Sequence, residues 1–286
     1  MRILFAADIH VNPDHLGRLI RVSLDRNADV LIIGGDIVPH HLPGAHAMGI
    51  LEAQAIYLET ELIPRLKKLK ASRDVEVFLD FGNDDFMASR RLLEPYQGKL
   101  LHLLHMQVHA LTPHVDVVGY MMVPPTPFKR KDWEKPDAKA MPCPPAGRIR
   151  LKGYATGKGY LEETLLDLHS GRTIEADLAQ LSSRIQRPFI FVSHCPPLDT
   201  PLDMLAGGTH VGSISIRRFI EKWSRRKLLI ASLHGHVHES PDVSNAISTR
   251  INGTMAINPG QAHDLRCILM ELSEEGENCR ITLLEQ

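Results

Sequence analysis

Five times along this chain a short run of Val, Ile, Leu and Phe stops at a polar residue or at a glycine beside one. Ile3 to Ala7 stops at Asp8, Val30 to Ile33 at Gly34-Gly35-Asp36, and Val75 to Phe81 at Gly82-Asn83. Phe189 to Val192 stops at Ser193-His194, and Leu228 to Leu233 at His234-Gly235-His236. Continuous apolar runs of this length suit strands covered on both faces. Helical patterns fall between them, over roughly 15–26, 47–70, 86–96, 174–186 and 214–226. In the longest, Ile50, Leu51, Ala55, Leu58, Leu62, Leu66 and Leu69 recur at helical spacing against Glu52, Glu59, Lys67 and Lys70. The first half is therefore expected to be α/β, with short strand-to-helix loops. Met255 to Asn258, Cys267 to Leu272 and Cys279 to Leu284 read as strands with no helix between them, which predicts a second, partly antiparallel sheet. Two mixed sheets face to face, with helices outside, make a four-layer αββα sandwich.

A chain of 286 residues with 43% hydrophobic content can bury a large core, and one domain over 1–286 is expected. It carries an insertion around 124–159, where Pro124, Pro125, Pro127, Pro136, Pro142, Pro144 and Pro145 surround a basic cluster, Lys129, Arg130 and Lys131. Proline at that density blocks regular helix and strand, which predicts an extended loop laid over the domain. It reads either as a structural insertion or as a wall beside a substrate.

Lys and Arg total 33 against 34 for Asp and Glu, so no global positive field gathers nucleic acid. No stretch approaches the roughly 18 apolar residues of a membrane span. Met1 runs into Arg2 to Asp8 without the apolar core of a signal peptide. Cys143, Cys195, Cys267 and Cys279 form no C-x-x-C pair, which fits a reducing cytoplasm.

Each of the five strand ends presents a residue type that binds metals, and strand carboxyl ends are where ligands bind in α/β sheets. Asp8 and His10 are two apart, as are His236 and His238, so each pair lies on one side of the chain. Asp36, Asn83 and His194 add one donor each. Such a mixed oxygen and imidazole set suits Mn²⁺, Fe or Zn²⁺ rather than Ca²⁺ or Mg²⁺. Singly, each has an ordinary reading, such as a capping Asp or a turn at Gly82-Asn83. Their conjunction, each directly after an apolar run, points to one site. Of the other histidines, His40, His41, His46, His102, His105, His109 and His114 read as surface or structural residues, and His234 as a core residue or one supporting a ligand.

The order Asp8-Ile9-His10, Gly35-Asp36, Gly82-Asn83-Asp84-Asp85, Ser193-His194 and Gly235-His236-Val237-His238 resembles the signature of the calcineurin-like metallophosphoesterases. Asn258-Pro259-Gly260 resembles that family's N-P-G turn. The resemblance implies the αββα fold and hydrolysis of a small phosphate ester. It assigns Asp8, His10 and His238 to one divalent ion and Asn83, His194 and His236 to a second, with Asp36 between them, the ions activating a bridging water for in-line attack. The family's usual G-N-H motif has a histidine that protonates the leaving group, whereas here that position is Asp84, a poor proton donor beside cations. Phosphodiesters are therefore expected over monoesters. Asp85 is expected to orient a ligand histidine. Asn12 is read as a helix-start residue or a substrate contact. Gly207 to Ser213, which includes His210, leads into a helix, and reads as a capped turn or an anion site. The competing readings are a scaffold of the same fold, disfavoured because all seven ligand positions are filled, and a nuclease, disfavoured by the near-neutral charge.

Overall fold

The computed structural model describes residues 1–42, 49–138, 152–166, 172–273, 276 and 279–285. At its centre β1 (Arg2–Ala6), β2 (Val30–Gly34), β3 (Glu76–Asp80) and β4 (His102–Leu103) run parallel in that order. Every residue of β1 after Arg2 and all of β2 are buried, as continuous apolar strands covered on both faces require. A second six-stranded sheet has β6 (Asp116–Tyr120), β9 (Phe189–Ser193), β10 (Leu229–Leu233) and β12 (Thr254–Ile257) parallel. It is edged by antiparallel β5 (Gln107–Ala110) and β11 (Ser248–Ile251). The expected architecture of two mixed sheets flanked by helices is the one observed.

The C-terminal strands do not form a sheet of their own. β12 joins the second sheet, whereas β13 (Arg266–Leu272) pairs antiparallel with β1 and carries β14 (Cys279–Glu285), extending the first sheet to six strands. Strand periodicity reports that a strand exists and is silent on its partner.

α1 (His15–Asp25) buries Leu16, Leu19 and Val22 at helical spacing. α2 (Ile50–Tyr57) continues through a π-turn, Leu58–Leu62, into α3 (Ile63–Ser72), which packs on α1. Pro64 donates no N–H and would crowd the carbonyl four residues back, so the widened turn ahead of it lets the helix continue. On the second sheet α4 (Ile174–Ser182) packs against α5 (Ile214–Arg225), and the α5 rings Phe219 and Trp223 meet Phe191 and Phe189 of β9 at 4.6 and 5.5 Å. The helix expected over 86–96 is instead two 3₁₀ turns, Met87–Leu92 and Glu94–Tyr96. Pro95 cannot donate to the carbonyl of Arg91, and Arg90 is drawn back to the buried Asp80 by two bonds of 2.9 and 3.0 Å.

The insertion is more ordered than a bare extended loop, although its residues 139–151 lie outside the described residues. β7 (Lys152–Ala155) pairs antiparallel with β8 (Glu162–Leu165), and the insertion's own Trp133 is buried. Its basic cluster divides three ways: Lys129 is exposed, Lys131 is buried on Glu134 at 2.8 Å, and Arg130 turns toward the carboxyl ends of the strands. Of the four cysteines, Cys143 lies outside the described residues, and Cys195, Cys267 and Cys279 are free thiols. No helix among the described residues is long and apolar enough to cross a membrane.

Candidate metal centre

The loops after β1, β2, β3, β9 and β10 converge at the carboxyl ends of both sheets. Backbone bonds register the first two, Asp8 N–H donating to the Gly35 carbonyl and His10 N–H to that of Asp36, each at 3.1 Å. The sharp turns place Asp8, Asp36 and His236 at φ of 54°, 52° and 68°, a left-handed region that a bulky side chain enters only when its surroundings impose it. Two glycines leave room for the donors. A Cβ on Gly82 would run into Asp36 Oδ1 and come 2.6 Å from His194 Nε2, and one on Gly35, itself at φ 101°, would come 2.5 Å from His194 Nδ1.

Asp8, His10, Asp36, Asn83, His194 and His236 meet there. His194 donates from Nδ1 to the Gly34 carbonyl at 2.8 Å, which fixes the ring and points Nε2 at Asp36 Oδ2 (3.4 Å) and Asn83 Oδ1 (3.1 Å). His236 Nδ1 approaches the same Asn83 oxygen at 2.6 Å, and His10 Nδ1 lies 3.4 Å from Asp36 Oδ2. Asp36 Oδ2 thus faces imidazoles from both sheets. Asp8 Oδ1 accepts the His236 N–H at 2.9 Å, while its Oδ2 and both ring nitrogens of His10 are buried without a hydrogen-bond partner among the described residues. His238 stands at the rim, its side chain 38% exposed and its ring 6.0 Å from that of His10.

Buried polar atoms with no partner are costly, and here they sit beside oxygen and nitrogen donors aimed at the same space. That is the pattern a cation would satisfy, and the donor set fits divalent transition metals. Asp8, Asp36 and His194 each offer a donor atom within 4.8 Å of the others, as do His10, His40 and Asp84. Burial pushes His10 down to about 4 and His236 to about 3, so both rings are neutral at pH 7, the form that ligates. Burial raises Asp8 to about 6. Burial alone would also raise Asp36, but the imidazoles of His194 and His10 outweigh it and hold its carboxyl well below the usual range. Burial works against a charged His194, yet Asp36 overrides it and lifts the ring to about 9. The two form an ion pair whose proton a bound cation would replace.

The surrounding residues correct several expectations. Among the described residues Asp85 orients no histidine: burial removes it from solvent, and its oxygens accept the N–H groups of Ile37, Val38 and Gly82, each at 3.0 Å. It braces the loops that carry Asp36 and Asn83. Asn12 takes the helix-start role, accepting Asp14 N–H at 3.0 Å and donating to the His263 carbonyl at 3.0 Å. His210 bonds Asp203 at 2.8 Å. The turn before α5 is capped rather than open to an anion: Ser213 accepts Ile216 N–H, and the Asp137 carboxylate takes the N–H groups of Ile214 and Ser215 at 2.8 and 3.2 Å. His234 is a core residue, bonded to the carbonyls of Ser193 and Cys195 and to Ser232. Asn258 donates to the carbonyls of Gly235 and Val237, which pins the loop around His236.

Asp84 is engaged on both oxygens. His40 donates to Oδ2 at 2.5 Å, with its ring 4.1 Å from that of His10, and Arg130 pairs with Oδ1 at 3.0 Å and donates to the Asp84 carbonyl at 2.5 Å. His40 is the residue the sequence reading missed. It sits in a Pro/Gly-punctuated loop, and its only signal is a position four after Asp36.

A family model described as calcineurin-like phosphoesterase matches residues 1–240, which contain all five motif blocks. No curated protein matches the sequence. Among solved structures, a dimetal phosphatase from Danio rerio is 12% identical, with a TM-score of 0.59 over 100% of this chain and 95% of its own. A protein of Thermus thermophilus is also 12% identical, with a TM-score of 0.54 over 98% of this chain and 97% of its own. At such identities the likeness carries the fold.

Proposed function

The chain belongs to the calcineurin-like phosphoesterase family, and from that premise we propose that it is a two-metal phosphoesterase that prefers phosphodiesters. The reading is carried by one observation: donors from five strand ends meet with Asp8 Oδ2 and both His10 nitrogens buried and unpartnered among the described residues. Asp8, His10 and His238 would hold one divalent ion and Asn83, His194 and His236 the other, with Asp36 facing both. Mn²⁺ suits this donor set, with Fe or Zn²⁺ as alternatives. Once bound, such a pair supplies a nucleophilic water at neutral pH and Lewis-acid charge on the phosphoryl oxygens.

The residues of the chain do the positioning. The Gly34 carbonyl fixes the His194 tautomer, Asp8 Oδ1 holds the strained His236 backbone, and Asp84 N–H donates to Asp36 Oδ1 at 2.8 Å, leaving Oδ2 to face the imidazoles. The preference for diesters rests on Asp84. Its carboxylate accepts from His40 and Arg130 and has no proton for a leaving group. Substrates whose leaving group departs as a stable anion are favoured, and small esters are favoured over nucleic acid because the chain is near neutral. The free thiols suit a reducing compartment.

The test is turnover of the Mn²⁺-loaded protein on mono-, di- and cyclic phosphate esters. Aryl diesters should outpace alkyl monoesters by at least about tenfold, the low end of what a missing general acid costs being near 10². Equal rates on both classes would remove the diester preference, and turnover indifferent to chelation would remove the metals.

A further inference from the structure

We propose that Arg130, delivered by the Pro-rich insertion, is a phosphate-binding residue whose Nε and Nη2 hold a phosphoryl oxygen of the ester bound at the metal centre. The inference rests on the phosphoesterase reading and adds to it a residue outside the five motif blocks. Three observations carry it. First, one carboxylate separates the guanidinium from the centre: Asp84 Oδ1 is 3.0 Å from Arg130 Nη1, and Asp84 Oδ2 is 3.9 Å from His10 Nδ1. Second, only part of the fork is used. Nη1 makes the bonds to Asp84, and Nε and Nη2 have no hydrogen-bond partner among the described residues. Third, the side chain is held in place. Its guanidinium lies 5.2 Å from the centroid of Phe86, and its backbone bridges to Tyr154 of β7, in the hairpin that closes the insertion.

A guanidinium never loses its charge and presents paired donors in a plane, the geometry that phosphoryl oxygens accept. The other members of the basic cluster are not so placed, since Lys131 is consumed by Glu134 and Lys129 is exposed. The proposal also gives Asp84 a purpose. Where the family's histidine would stand, a carboxylate anchors the cation that the insertion brings in. It is at once too engaged to donate a proton and well suited to hold an arginine.

Inorganic phosphate is the probe, titrated calorimetrically into the Mn²⁺-loaded full chain, with the metal content of each variant measured alongside. Arg130→Ala should raise the phosphate Kd at least tenfold while two metals remain bound, and Arg130→Lys should recover only part of the loss. A Kd within twofold of wild type in Arg130→Ala overturns the proposal, as does a loaded wild type that binds no phosphate. Should Arg130→Ala fail to fold or to hold its metals, Arg130→Lys decides, because it keeps charge and stem but not the fork: wild-type affinity there overturns the proposal, and weakened affinity supports it. Ester turnover measured in parallel keeps the two readings apart. Phosphate binding that depends on Arg130 in a protein that hydrolyses no ester sinks the phosphoesterase and leaves the anion site standing. Turnover with phosphate affinity indifferent to Arg130 does the reverse.

Discussion

Two glycine-flanked junctions in this molecule offer the same ingredients and end in opposite states. At the carboxyl ends of β1, β2, β3, β9 and β10, tight turns deliver Asp8, His10, Asp36, Asn83, His194 and His236, and three of the buried donor atoms find no partner among the described residues. At the turn Gly207 to Ser213, two glycines precede a helix start with its free N–H groups and a nearby histidine. There Ser213 and Asp137 take those N–H groups, and Asp203 takes His210. The difference teaches that glycine, helix ends and imidazoles do not mark a ligand site. What sets the first junction apart is that its unsatisfied buried atoms cluster beside other donors aimed at the same space, since isolated ones, such as His15 Nδ1, Ser23 Oγ and Trp133 Nε1, also occur among the described residues.

If the first junction is a metal centre, Asp36→Asn should produce the largest effect. Asn tolerates the left-handed backbone at this position, so the fold should survive. Turnover should fall by about 10³-fold or more, equivalent to roughly 4 kcal/mol of barrier. Metal content should drop below two per chain by elemental analysis. Turnover above about a tenth of wild type, a loss under ~1.4 kcal/mol, would refute the shared position of Asp36. Chelation comes next. A ligand at a hundred times its Kd stabilises by about 2.7 kcal/mol per site, so two sites should lower the melting temperature by about 10 °C when stripped. An unchanged melting curve would place the first junction in the same class as the second.

How much of this was legible in the sequence depends on the range of the interaction. The apolar runs ending at Asp8, Asp36, Asn83, His194 and His236 disclosed both the strands and the side chains that meet at the candidate site, because these residues directly follow the strand ends in the chain. What lay between distant segments was hidden. Nothing near Cys267 states that β13 pairs with β1, and nothing near Asp137 states that its carboxylate caps α5, 77 residues on. His40 and Arg130 reach Asp84 across 44 and 46 residues, through a loop and an insertion whose paths no periodicity encodes. Asp85 misled for a related reason. Its place in the motif suggested a histidine partner, whereas three backbone amides had the prior claim.

The second junction can be tested for the reverse outcome. Asp137→Asn keeps the shape but removes the charge that faces the start of α5 and weakens bonds to Ile214 and Ser215. The expected cost is about 1–3 kcal/mol in denaturant unfolding, from the lost charge-assisted bonds and the helix dipole. Metal content should remain two per chain. A loss of metal without a loss of stability would mean that the two junctions are coupled.

The smallest effect is expected at His210, and it is the sharpest check on the distinction because histidine is the residue most readily taken for a ligand. Its Nδ1 bonds Asp203, but Asp203 does not depend on it. The same carboxylate accepts the N–H groups of Thr200 at 2.8 Å, Gly212 at 2.9 Å and Asp199 at 3.2 Å, so removing the imidazole leaves a buried acid still held by three backbone donors and the Thr200 hydroxyl. His210→Ala should therefore cost no more than about 1 kcal/mol, the net value of one partly exposed hydrogen bond. Turnover should stay within about twofold of wild type, and the phosphate Kd of the Mn²⁺-loaded protein should not change. If the substitution instead weakened phosphate binding tenfold, about 1.4 kcal/mol, the glycine-rich turn would have to present His210 to the substrate, and satisfied hydrogen bonds would no longer separate the two junctions.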